Sequence, residues 1–123
     1  DIEKLEIDNG NIYSAPEEIT LSLRWIALLS KDTDCSLIGA TGIHDGAGVI
    51  KQLLAGASAV QICTTLYKNE IPYIGRMLEF IEGWMEKKKY ERVDQFRGKI
   101  ANSPELKYAF ERIQFIRKVT GDL

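Results

Sequence analysis

The stretch Cys35-Ser36-Leu37-Ile38-Gly39-Ala40-Thr41-Gly42-Ile43-His44-Asp45-Gly46, followed by Ala59-Val60-Gln61-Ile62-Cys63-Thr64-Thr65, decides how this chain is read. Each part carries an apolar run too short for a helix and runs out into small or polar residues suited to a turn, the pattern of a short strand that enters a loop. Between them Asp45 is placed to cap a helix through Val49, Ile50, Leu53 and Leu54. Gly56 then supplies the achiral residue that suits a left-handed C-terminal position. The unit reads strand, helix, strand.

Upstream, Ser14 precedes Pro16, Glu17 and Glu18, so a polar cap, an early proline and two acids predict a helix running to about Ser30. Its expected buried face is Ile19, Leu23, Ile26 and Leu29, with Trp25 beside it. Further upstream, Ile2 to Ile7 alternates loosely between apolar and charged residues, as a half-exposed edge strand would, before a turn at Asp8-Asn9-Gly10. Downstream, Ile74, Met77, Leu78, Ile81 and Met85 recur at helical intervals and predict a long helix from roughly Ile71 to Lys88. Lys87, Lys88 and Lys89 sit at its end as a solvated cationic terminus. A short helical turn is expected around Val93 to Phe96, and Ser103-Pro104-Glu105 opens a last helix through Leu106, Ala109, Phe110, Ile113 and Ile116.

Alternating helices and strands with short connections imply parallel strands joined by right-handed crossovers. Two such strands cannot cover their own faces and edges, and a complete (β/α)8 barrel takes about 250 residues. Residues 1–123 are therefore read as one α/β unit, a part of a TIM (β/α)8 barrel with two parallel core strands, flanking helices and a C-terminal helical extension. The alternative is a segment that pairs with other chains.

The 18 acidic and 16 basic residues leave a formal net charge of -2, which gives no basic field for nucleic acid. No run of about 18 uncharged apolar residues is present, and Asp1-Ile2-Glu3-Lys4 lacks the pattern of a signal peptide, so a soluble, cytoplasmic protein is expected. Cys35 and Cys63 belong to no CxxC pair, which predicts reduced thiols and no metal site.

Chemistry is expected at the two loops that leave the strands. In (β/α)8 proteins the loops after strands seven and eight commonly cradle a phosphate on backbone N–H groups. Gly42 permits close approach of backbone, and Thr64 offers both an N–H and a hydroxyl. Ordinary βα turns also use Gly and Thr without any ligand, and spacing alone leaves both readings open.

The runs Ser36-Leu37-Ile38-Gly39-Ala40-Thr41-Gly42-Ile43, Leu53 to Ile62, Lys88-Lys89-Tyr90 and Gln95-Phe96-Arg97-Gly98-Lys99 resemble the C-terminal end of dihydroorotate dehydrogenases, over roughly Ser14 to Ile100. The Tyr and Phe-Arg-Gly ending resembles the soluble FMN-containing class in particular. This resemblance implies a flavoprotein oxidoreductase of pyrimidine biosynthesis, converting dihydroorotate to orotate, with this segment at the C-terminal end of the barrel. It implies FMN phosphate on the backbones of Thr41 and Gly42 and of Cys63 and Thr64, with Ser14 and Ala15 near the flavin. It also implies a small-molecule substrate and a homo-oligomer. The family's catalytic base lies in an earlier loop, so no catalytic residue is assigned here.

Two positions depart from the family pattern, which has Gly-Gly where this chain has Thr41-Gly42 and Gly-Thr where it has Cys63-Thr64. A positive φ at Thr41 or Cys63 would cost about 1 kcal/mol or more. The departures leave open a related barrel with another substrate, a phosphate-binding barrel without flavin, or a non-catalytic fragment that associates through exposed strands.

His44, the single histidine, invites an acid/base role, set against a place in the loop near an anion. Cys35 and Cys63 are read as small buried hydrophobes. Trp25 and Trp84 are read as packing residues rather than interface anchors.

Overall fold

The structure is a computed structural model that describes residues 3–4 and 12–103. A 3-10 turn at Pro16–Glu18 leads into helix α1 (Ile19–Asp32), followed by strand β1 (Ile38–Gly39) and helix α2 (Gly46–Ala55). Strand β2 (Ala59–Val60), a short helix α3 (Thr64–Asn69) and the long helix α4 (Tyr73–Lys88) come next, and a second 3-10 turn occupies Val93–Gln95. The strands pair in parallel, Ile38 opposite Ala59 and Gly39 opposite Val60. The chain is thus an α/β unit whose two parallel strands are joined through α2.

Local chemistry explains where α2 starts and stops. The Asp45 carboxylate accepts the Gly48 N–H at 2.7 Å, which satisfies one of the donors that a helix start leaves over. At the other end Gly56 turns to φ +112°, and its N–H and that of Ala57 donate back to the carbonyls of Leu53 and Gln52. The end carbonyls are also met from far along the chain, since Gly98 donates a second bond to Leu53 at 2.9 Å and Ile100 donates to Leu54 at 3.1 Å. The Phe96-Arg97-Gly98-Lys99 run therefore holds the fold together, closing the end of α2 remote from the loops.

Helix α2 lies between two apolar clusters. One joins Ile26 and Ala27 of α1 to Ala55, Ala57 and Ala101. The other joins Ile43, Val49 and Leu53 to Met77 of α4 and to Phe96, which is fully buried. Trp84 meets Phe96 edge-on at 5.0 Å, and Tyr90 lies 5.4 Å from the same ring. Lys99 covers the Tyr90 ring at 4.7 Å and donates to its hydroxyl.

Several expectations need correction. Both strands are two residues long, shorter than the apolar runs that announced them. On α1 the buried residues are Ile26 and Ala27, whereas Leu29 and Trp25 are exposed, because only a narrow stripe of α1 meets α2. Trp84 does pack as read, but Trp25 does not. On α4, Met77 is buried while Leu78 points to solvent. Cys35 and Cys63 are both exposed, so neither is the buried hydrophobe expected. Glu3 and Lys4 lie in a turn rather than a strand, and the rest of the edge strand over Ile2 to Ile7 lies outside the described residues, as does the last helix from Pro104 onward. Ser14 is not the helix cap. Ala15 takes that place, and its N–H is met by the Glu18 carboxylate at 2.7 Å.

Among the described residues no helix is long and apolar enough to cross a membrane, and no group of three or more His, Cys, Asp or Glu side chains is arranged to hold a metal ion.

Candidate functional site

The ends of β1 and β2 open on one side of the pair, where their loops meet the segment that leads into α1. There a cavity of about 350 Å³ is lined by Ser14 and Glu18, by Ala40, Thr41, Gly42 and Ile43, and by Gln61, Ile62, Cys63 and Thr64, with Ile12 at its edge. Five of the six residues singled out from sequence, Ser14, Thr41, Gly42, Cys63 and Thr64, share this cavity. Ala15 does not line it, and its N–H is spent on Glu18. Parallel pairing is what brings Gly42 and Thr64 together, since it sets the two strand ends side by side.

The loop after β1 is built from two consecutive left-handed residues, Thr41 at φ +69° and Gly42 at φ +71°. A Cβ at Gly42 would stand 2.2 Å from the Ile19 nitrogen, so the first turn of α1 is seated on bare backbone there. For Thr41 this conformation is strained, because a β-branched side chain crowds its own carbonyl at positive φ. Thr41 is nevertheless exposed and lies on the cavity wall. The loop after β2 is different, since Cys63 has φ -136° and carries no such strain.

The N–H groups of Thr41, Gly42, Cys63 and Thr64 donate to no other described residue. Hydrogen bonds that involve side chains tie the three segments together instead. The Ser14 N–H donates to the Thr64 hydroxyl at 3.0 Å, and the two hydroxyls lie 3.2 Å apart. The Ser14 hydroxyl also meets His44 Nε2 at 3.2 Å. Behind this chain, the buried Thr65 hydroxyl donates to the His44 carbonyl at 3.1 Å and is itself held by Asn69. Sequence reading placed His44 beside the loop but gave no sign of its bond to Ser14, thirty residues away, because nothing local encodes that contact.

Can these residues hold a phosphate dianion? The two loops present amides with no acceptor among the described residues, Gly42 has no side chain to shield its backbone, and Thr64 and Ser14 add hydroxyls. Among the described residues no lysine or arginine lines the cavity, and its one charged lining residue, Glu18, has one carboxylate oxygen bound by Ala15. The set suits an anion gripped by neutral donors, which backbone N–H groups do well where they converge.

No protein-family model matches the chain. Over 67 residues, 54% of this chain and 21% of the other protein, it is 40% identical to the dihydroorotate dehydrogenase (fumarate) of Saccharomyces mikatae. Over 92 residues, 72% of this chain and 31% of the other, it is 31% identical to the catalytic subunit of dihydroorotate dehydrogenase B (NAD(+)) of Thermoplasma volcanium. Over 64 residues it is 36% identical to the probable dihydroorotate dehydrogenase A (fumarate) of Streptococcus pneumoniae, covering 52% of this chain and 21% of that protein. The chain thus spans between about a fifth and a third of the length of the curated relatives it matches. By sequence this chain is related to the dihydroorotate dehydrogenases, in both their fumarate and their NAD(+) types.

Proposed function

We propose that this chain supplies the phosphate-holding end of an FMN site in an oxidoreductase of the dihydroorotate dehydrogenase type. The observation that carries this reading is the cavity itself, where the loops at the ends of two adjacent parallel strands converge, with amides at Thr41, Gly42, Cys63 and Thr64 that donate to no other described residue. Residues that hold the head group are these four backbones and the Thr64 hydroxyl, with the Ser14 hydroxyl bonded behind it. When bound, FMN supplies the hydride acceptor for oxidation of dihydroorotate to orotate. This chain's own part is to bind and orient: the amides fix the phosphate, and the bare face of Gly42 keeps α1 close against the loop.

Burial favours a larger barrel around these strands. Parallel strands are ordinarily covered on both faces, yet Ile38 in β1 is 60% exposed and Ala59 in β2 is also exposed. Leu21 and Trp25 of α1 are uncovered too, and they border an apolar pocket that reaches Ala40 and Thr41. Further strands and helices packed on these exposed faces would bury all of these residues.

Titration of the intact protein with FMN and with riboflavin, followed by flavin fluorescence, tests the reading. Quenching by FMN with riboflavin on the order of a hundredfold weaker is expected, since the phosphate brings several charge-assisted hydrogen bonds. Equal affinity for the two flavins, or none for either, overturns it.

A further inference from the structure

Hydroxyl bookkeeping at the cavity gives His44 a task beyond packing. Thr64 is 8% exposed, and its oxygen accepts the Ser14 N–H. A hydroxyl has one proton to give and two lone pairs to receive with, so the neighbouring bonds fix where that proton points. Two polarities fit the distances between His44, Ser14 and Thr64. In one, unprotonated Nε2 accepts from Ser14, Ser14 in turn receives the Thr64 proton, and Thr64 shows the cavity a lone pair. In the other, Nε2–H donates to Ser14, Ser14 donates to Thr64, and both Thr64 lone pairs are filled. The Thr64 proton is then left to point at whatever occupies the cavity.

We propose that His44 is a positioning residue whose Nε2–H sets the direction of a hydroxyl relay through Ser14, so that Thr64 donates to an anionic head group in the cavity. This rests on the phosphate reading above and adds which side-chain proton the site commits to the anion. The relay spans all three segments that form the cavity, namely the approach to α1, the loop after β1 and the loop after β2. Only one polarity places a positive dipole end against a phosphate, and the other sets oxygen against oxygen. His44 does not line the cavity itself, so it acts through Ser14.

The test is nitrogen NMR of the intact protein labelled with 15N-histidine and titrated with inorganic phosphate and with FMN, His44 being the single histidine of this sequence. The bound state is expected to carry the proton on Nε2. A bound state with Nε2 bare and Nδ1 protonated overturns the proposal, and this readout needs no variant to fold. Affinity for inorganic phosphate gives a second measure: His44→Phe, Ser14→Ala and Thr64→Val should each weaken it about tenfold, with the Ser14→Ala/Thr64→Val pair no worse than either alone. His44→Gln, whose amide can still donate, should recover most of the loss. Wild-type affinity in His44→Phe overturns the relay. Phosphate bound without FMN would overturn the flavin reading and leave the relay standing, whereas binding of neither ligand overturns both.

Discussion

Gly42 packs so closely on Ile19 that a single added methyl group would come within 2.2 Å of the Ile19 backbone nitrogen. That contact ties the loop after β1 to the first turn of α1, and it cannot relax by a rotamer change because both sides are main chain. Gly42→Ala combines overpacking with a side chain at φ +71°, and is expected to cost roughly 2–5 kcal/mol. Urea unfolding of the intact protein measures it, and a loss under about 0.5 kcal/mol, within the range of ordinary surface changes, would contradict so close a seat.

Thr41 sits beside it in the same conformation but with room around it, so the opposite change should help. The left-handed strain of an L-residue is about 1–2 kcal/mol, against about 0.5–1 kcal/mol for the extra chain entropy of glycine, so Thr41→Gly should stabilise by roughly 0.5–1 kcal/mol. An exposed residue changed to glycine usually loses stability, which makes the sign informative. Because the Thr41 amide survives the change, FMN affinity should stay within about threefold if the backbone is what holds the phosphate. Parallel melts and flavin titrations of the two proteins decide both points.

Sequence patterns and tertiary contacts divided the work unevenly. Asp45 and Gly56 were legible because capping is local: an acid before the apolar stripe and a glycine after it meet helix-end groups only three or four residues away. Ser14 looked equally like a cap, yet its partners are Thr64 and His44, and a serine reads the same before either role. Five of the six residues named from sequence line one cavity because parallel pairing sets the two strand ends and their loops side by side. Leu29, Trp25 and Leu78 were misjudged because periodicity marks an apolar stripe without saying how much of it a neighbour covers.

The aromatic cluster closes α4 against the turn at Val93–Gln95, and Phe96 is its centre. Phe96 is wholly buried and touches the rings of Trp84 and Tyr90, so Phe96→Ala removes both apolar burial and two ring contacts. The expected loss is about 3–5 kcal/mol, while Phe96→Leu, which keeps most of the volume, should lose about 1–2 kcal/mol. Trp84 fluorescence should shift to the red in Phe96→Ala as water reaches the indole. Unchanged emission together with a small stability loss would mean that the cluster contributes little.

Gln52 was hidden in the apolar face of α2, yet it is fully buried with its amide against Gly39 of β1. Its Nε2 donates to the Ser22 hydroxyl at 3.0 Å, but Oε1 finds no partner among the described residues. A buried carbonyl without a donor costs about 1–3 kcal/mol, more than the roughly 0.5–1.5 kcal/mol that its one hydrogen bond returns. Met has nearly the same length and no oxygen to strand, so Gln52→Met should stabilise the fold by about 1 kcal/mol. Gln52→Glu should do the reverse, by about 3 kcal/mol or more near neutral pH, because it places an unpaired carboxylate in the same site. Chemical denaturation of the pair gives both signs, and a destabilised Met variant would show that a water or a shifted Ser22 already satisfies the carbonyl.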